Sequence, residues 1–449
     1  VATYRLQLRE GMTLDRAREV VVPHAHRLGA SHLYLSPPFA AAPGSTHGYD
    51  VADHGAVEPD LGGRQALERL SETLRERGMG LVLDIVPNHM AAHPANPWWR
   101  DVCEWGVHAR HAGHFDIDWS RRLTLPVLGA PFDDVLEAGE IALRVDPERR
   151  GLEMACHDQA FPLTPPSYRL VPGAGRLAEI AAGAEPGRPD AFHEAMRGAL
   201  EGFDAGALSA DREALARLHD AQPWRLMHWV EARRDLSYRR FFEVTGLAGV
   251  RVEDDAVFDD VHRLILELVR DGTVDGLRID HVDGLRDPGA YLRRLREAAP
   301  EAWLLVEKIT EGEERLPPDW PVEGTTGYEF IAMLGDLVVP ASGVAALEAA
   351  FEDLSDVPPP EEERDAIKRR TVTVSFEGEL GAVVRALAPH LDPEPEEPAL
   401  TAVLAELIVA LPVYRTYGDA AGFRPEDVAL LDAAAGRAAR RADAALVRR

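Results

Sequence analysis

Short apolar runs that end near a polar side chain recur along this chain, and segments of helical period separate them. Thr3–Leu8, His32–Leu35, Leu81–Val86, Val274–Ile279 and Trp303–Val306 read as strands. Leu14–Leu28, Gln65–Arg77, Ala256–Arg270 and Asp287–Ala298 read as the helices between them. The near-continuous apolarity of Leu81–Val86 predicts burial on both faces, as in a parallel sheet covered by helices. Strand–helix alternation of this kind predicts an α/β fold, a TIM-type (β/α)8 barrel. A sixth strand is expected near Thr325–Ile331. About six of eight βα units are therefore expected, an incomplete barrel.

Two stretches break the rhythm. After the third strand, the residues from His89 to Leu247 are rich in Trp, His, Pro and Ala and do not form one βα unit. Beyond about Ala341 the chain is rich in Ala, Leu and Glu and reads as helical, with a solvated Pro/Glu loop at Asp392–Pro398. The expected division is a partial barrel over 1–90 and 250–340, an insertion or lid subdomain over 91–249, and an α-helical subdomain over 341–449. The first residue is Val, and Thr3 already opens a strand, so the start reads as clipped.

The net charge of −27 over 449 residues argues against nucleic acid and anionic membranes as partners. No apolar run has the length of a membrane span. Two cysteines, Cys103 and Cys156, do not make a disulfide framework, and a reducing cytoplasm is the expected location. The only lysines are Lys308 and Lys368, which draws attention to the one beside Glu307.

In a barrel, chemistry gathers at the C-terminal ends of the strands. Asp84, Asn88, His89, Asp280 and Glu307 all fall there. Asp280 and Glu307 end successive strands and are separated by 27 residues. Two carboxylates about 5 Å apart, one nucleophile and one acid/base, are what retaining cleavage of a glycosidic bond requires. Strand-end carboxylates also cap helices or pair with arginines. Arg278, however, shares a strand face with Asp280 and would hold it ionised, as a nucleophile must be. Asp84 and His89 are placed to hydrogen-bond sugar hydroxyls, and Asn88 reads as structural. Tyr49, on the loop Ser45–Val51, is placed to stack on a pyranose ring. His108, His111 and His114 drift around a helix without an obvious acidic or thiol partner, so no metal site is expected.

Gly48–Val51, Asp84–His89, Gly276–Asp280 and Glu307 together resemble, in order, the active-site segments of the α-amylase superfamily of glycoside hydrolases. Ala2–Gln7, Tyr34–Pro38, Tyr238–Phe242, Arg278–His281 with Asp283–Leu285, Trp320–Tyr328 and Pro412–Tyr417 resemble its trehalose-forming subgroup. Val282 departs from that pattern, where Pro is expected. So does the lack of a His-Asp segment matching the superfamily's third carboxylate; the chain reads as ending in a helical stretch before it.

The resemblance implies a retaining intramolecular transglycosylation without a cofactor. Asp280 would attack the anomeric carbon of the penultimate sugar of a malto-oligosaccharide, and Glu307 would protonate the departing glucose. That glucose, retained and reoriented, would return as acceptor through its own anomeric hydroxyl. Lys308 and His281 are expected to bind it. A trehalose-releasing hydrolase is an expected functional partner. A related α-glucan hydrolase or 4-α-glucanotransferase, and an inactive glucan-binding fragment, remain open alternatives.

Overall fold

A computed structural model describes residues 1–146, 148–312, 314–354, 360–419 and 422–449. It comprises two compact units: Val1–Asp280 with Ala298–Trp303, and His281–Glu297 with Leu304–Arg449.

In the first unit four parallel strands lie in the order Thr3–Leu6, His32–Leu35, Gly80–Ile85, Gly276–Ile279. Leu33, Leu35, Leu81, Leu83, Ile85, Leu277 and Ile279 on one face, and Tyr34, Val82, Asp84 and Arg278 on the other, are all buried, the two-sided burial of a covered parallel sheet. The helices Gly63–Arg75 and Asp255–Arg270 bury one apolar stripe each: Ala66, Leu67, Leu70 and Leu74, then Val257, Val261, Leu264 and Leu268. Close packing limits side-chain size. A Cβ on Gly276 would lie 2.8 Å from the Trp303 carbonyl oxygen.

The expected strands and helices form, with boundaries moved by a residue or two. The Leu14–Leu28 helix carries a departure the pattern did not show. Ala17–Val21 is a π-helical segment between Leu14–Arg16 and Val22–Arg27. Pro23 has no N–H to donate into the preceding turn, and the wider turn absorbs that loss.

Residues 86–275 of the same unit build smaller sheets. Leu123–Leu128 pairs with Trp224–His228 in parallel. Ile141–Asp146, Gly151–Cys156 and Gln159–Pro162 form an antiparallel meander. His89–Ala91 pairs with Val244–Gly249, which pairs in turn with Arg240–Phe241. The helix Pro97–Trp105 starts at Asn96, whose side chain accepts the N–H groups of Trp98 and Trp99. Trp99 is fully buried, edge-on to Phe115 and Tyr238.

In the second unit Trp303–Val306 pairs in parallel with Gly324–Thr325 through Leu305 and Val306. The expected strand over Thr325–Ile331 is corrected here. Strand geometry stops at Thr325, and Tyr328–Val338 is a helix. Gly327, at φ +89°, turns the chain, and its N–H bonds the Thr325 hydroxyl at 3.0 Å. The apolar run that followed was read with the wrong period. The remainder is helical, as expected. Glu377–Leu387, Glu397–Ala410 and Pro425–Ala438 share a core that includes Leu380, Val384, Leu400, Val403, Val409, Ala434 and Ala438.

Candidate active site

The strand ends of the first unit carry a buried polar cluster. Register sets Asp84 directly beside Arg278 on neighbouring parallel strands. Residues side by side in register point to the same face, and Asp280, two positions past Arg278, follows that alternation. One guanidinium nitrogen of Arg278 donates to Asp84 Oδ1 and to Asp280 Oδ1, each at 2.7 Å. The phenols of Tyr34 and Tyr49 both donate to Asp84 Oδ2 at 2.7 Å. Asp84, fully buried, thus accepts from three donors, the pattern of a carboxylate rather than an acid. Burial pushes its carboxyl up, against the pull of Arg278 and then of the two phenols. Burial, followed by the Asp84 charge, pushes both phenols well above their ordinary value, so they stay donors.

A frame of long side chains holds Tyr49. Arg5 donates to its phenol oxygen at 3.0 Å, and the Gln7 amide donates to the His47 carbonyl at 3.1 Å. Gly48 lets the loop come close. At φ +85°, a Cβ there would meet the Arg9 guanidinium at 2.3 Å and the Pro37 carbonyl at 2.6 Å. Tyr49 was expected to offer its ring face. The structure shows that its hydroxyl also completes the Asp84 shell.

His89 is buried, with its ring 4.1 Å from that of Phe241. Asn88 accepts from Arg239 at 3.0 Å, the structural role expected of it. Of the three histidines, His111 meets Asp101 at 2.8 Å and His114 meets Asp260 at 3.0 Å. Among the described residues, no group of three or more His, Cys, Asp or Glu is arranged to hold a metal ion.

The second unit holds Glu307. Its Oε2 accepts the backbone N–H of His281 at 2.8 Å, and His281 is the residue that follows Asp280 in the chain. His281 sits at φ +44°, a left-handed conformation that costs energy without glycine and concentrates at functional turns. Its ring lies 5.9 Å from that of Tyr414, edge to face.

Lys308 departs from expectation. Its ammonium is buried between Asp283 at 3.1 Å and Glu314 at 2.8 Å. Enclosed by two carboxylates and almost fully buried, the ammonium forms an internal anchor where a sugar contact was expected. The Tyr417 phenol donates to the other oxygen of the same Asp283.

The sequence pattern passed over Tyr34, Arg5, Arg415 and Tyr417. Tyr34 and Arg5 had a signal: polar side chains in register on adjacent apolar strands. Arg415 and Tyr417 had none outside the family likeness, because they act from a non-regular segment after a helix.

Comparison with known proteins places the chain in one lineage. Residues 22–105 match the family model described as alpha amylase, catalytic domain. A curated relative, a putative maltooligosyl trehalose synthase of Mycobacterium tuberculosis, is 39% identical over 364 residues, covering 78% of this chain and 40% of the relative. The solved maltooligosyltrehalose synthase from Arthrobacter ramosus superposes with a TM-score of 0.79 at 39% identity, over 99% of this chain and 52% of that one. A structure titled as a hypothetical maltooligosyl trehalose synthase from Sulfolobus tokodaii gives a TM-score of 0.75 at 28% identity, covering 100% of this chain and 53% of its own. The chain thus spans about half or less of the length of these relatives. With its strand-end carboxylates and parallel sheet, the chain belongs to the maltooligosyltrehalose synthase family of the α-amylase superfamily.

Proposed function

We propose that the chain carries the nucleophile and the acid/base of an enzyme that converts the reducing-end α-1,4 linkage of a malto-oligosaccharide to an α,α-1,1 linkage. Asp280 is the nucleophile. Its carboxylate oxygen forms an ester with the anomeric carbon as the bond to the leaving glucose O4 breaks, and Glu307 supplies the proton to that oxygen. The retained glucose turns over. Its anomeric hydroxyl gives its proton to Glu307 and its oxygen attacks the anomeric carbon of the glycosyl ester, breaking the bond to the Asp280 oxygen and leaving a product with no reducing end. Asp84, with Tyr34 and Tyr49, holds the sugar at the cleaved bond, and His89 and His281 are further sugar-binding residues.

One observation carries this reading. Arg278 pairs with Asp280 at 2.7 Å, and the next residue in the chain binds Glu307 through its main-chain N–H at 2.8 Å. A guanidinium beside one carboxylate keeps it charged. Excluding water while keeping glucose is the demanding part, since water competes as acceptor. Residues 91–249, inserted after the third strand, are the proposed lid. About six βα units of an eight-unit barrel fall in this span. The product is then a substrate for a hydrolase that releases trehalose, and the setting is the cytoplasm.

Incubation with maltopentaose tests the reading. Mutase action lowers reducing power while chain length stays constant. Rising reducing power identifies a hydrolase, and a spread of chain lengths identifies a glucanotransferase. No turnover, together with retained glucan binding, identifies an inactive binding fragment.

A further inference from the structure

The segment Tyr414–Tyr417 lies more than a hundred residues beyond Asp280, after the helix Glu397–Ala410, where the barrel pattern has given way to helices. It nevertheless closes on the turn that follows the catalytic strand. One guanidinium nitrogen of Arg415 donates to the carbonyl oxygens of Asp283 at 2.9 Å and Leu285 at 2.7 Å. Its guanidinium also lies 5.2 Å from the centre of the Tyr417 ring, and the Tyr417 phenol is bonded to the Asp283 carboxylate. The turn is therefore gripped through its main chain by one residue and through its side chain by another. At its start is His281, in its left-handed conformation, with the N–H that binds Glu307.

A residue at φ +44° persists only where its surroundings over-determine it. Glu307 and the ring of Tyr414 touch His281 itself, and Arg415 fixes the carbonyls just beyond it. A charged planar fork suits that task. It engages more than one carbonyl in fixed geometry and cannot lose its proton.

We propose that Arg415 is a positioning residue for the acid/base carboxylate: by clamping the carbonyls of the turn it keeps the His281 N–H aimed at Glu307. It touches neither sugar nor reacting atoms. The inference rests on the reading of Glu307 as acid/base, and the experiment separates the two.

Arg415→Ala, Arg415→Lys and Arg424→Gln are compared with the unaltered chain. Arg424 stacks on the same Tyr417 ring, at 5.5 Å, and pairs with Asp427, so it controls for general loosening of the segment. Hydrogen exchange is read at the His281 amide, and first-turnover rates are read with maltopentaose and with α-maltotriosyl fluoride. Fluoride leaves without a proton from an acid, so a defect in the acid appears with maltopentaose and not with the fluoride. Arg415→Ala is expected to lose protection at His281. It should slow maltopentaose cleavage by about 10²-fold, the scale of a misplaced catalytic group, with fluoride release nearly unchanged. Arg415→Lys should fall between, and Arg424→Gln should keep both rates.

Equal slowing on both substrates, or the same losses in Arg424→Gln, overturns the positioning role. So does an unchanged His281 amide in Arg415→Ala. An unaltered chain that turns over neither substrate defeats the mutase reading, and the exchange measurement then decides the clamp alone.

Discussion

Each unit contains a buried cation held between two carboxylates with a phenol bonded to one of them. In the first, Arg278 lies between Asp84 and Asp280, with Tyr34 and Tyr49 on Asp84. In the second, Lys308 lies between Asp283 and Glu314, with Tyr417 on Asp283. Both clusters sum to one negative charge. They differ in their connections. The Arg278 cluster sits at strand ends and includes a carboxylate with a nucleophile's surroundings. The Lys308 cluster fastens a turn, a strand end and a loop to one another. Under the proposed function, similar ion arrangements serve chemistry in one place and architecture in the other, and position on the fold distinguishes them.

That distinction is most severely tested at the two ends of the comparison. Asp280→Asn removes the nucleophile but leaves Arg278 paired with Asp84. Turnover should fall by on the order of 10⁴-fold or more, the scale seen when a catalytic unit loses its nucleophile, with little change in melting temperature. Activity that survives this change removes Asp280 from the mechanism.

Lys308→Met should do the reverse. It leaves Asp283 and Glu314 buried without their shared counter-charge, a loss of about 3–5 kcal/mol of stability. Chemical denaturation measures it. A Lys308→Met chain with unaltered stability and a raised KM for malto-oligosaccharide would return the lysine to the sugar and dissolve the comparison.

The contrast also explains what the sequence could and could not reveal. The strands were legible because parallel sheets demand apolar runs on both faces, and Asp280 and Glu307 stood out as candidates because barrel chemistry sits at strand ends. Arg278 was legible through strand alternation alone. Lys308 was misread. Its scarcity in composition and its place beside Glu307 drew attention, yet what it does is fixed by Asp283 and Glu314, whose approach depends on tertiary folding. Arg415 was illegible for the same reason, since its partners are main-chain carbonyls that carry no sequence signature. The false strand at Thr325–Ile331 came from an apolar run whose period a Thr-Gly turn resets. In each case the missing information was long-range contact, and local pattern does not encode it.

Within the first cluster, Tyr34→Phe removes one of three donors to Asp84 without changing its charge. A hydrogen bond to a charged group contributes about 1.5–3 kcal/mol, so stability should drop by that amount. Tyr49→Phe should cost less stability, because its phenol is less deeply buried. Unchanged stability at both positions would show that Asp84 is held by Arg278 and not by the phenols.

A third buried ionisable group satisfies itself differently. His54 is fully enclosed, and neither ring nitrogen has a hydrogen-bond partner among the described residues. Burial, with a smaller contribution from His262, pushes its pKa down to about 3. The two clusters neutralise charge with partners; His54 stays uncharged instead. The sign of its pH dependence follows. The unfolded chain takes up a proton near pH 6.5 while the folded chain refuses it until about pH 3. Stability is therefore complete above the unfolded value and falls as the pH drops through that window, by about 2 kcal/mol between pH 6.5 and pH 5. His54→Phe should flatten this slope while leaving stability at pH 8 within about 1.5 kcal/mol, as a substitution of similar volume does. Denaturation midpoints at a series of pH values measure it. A slope that survives in His54→Phe assigns the acid sensitivity to the carboxylate clusters, and their contrast with a neutral buried group then fails.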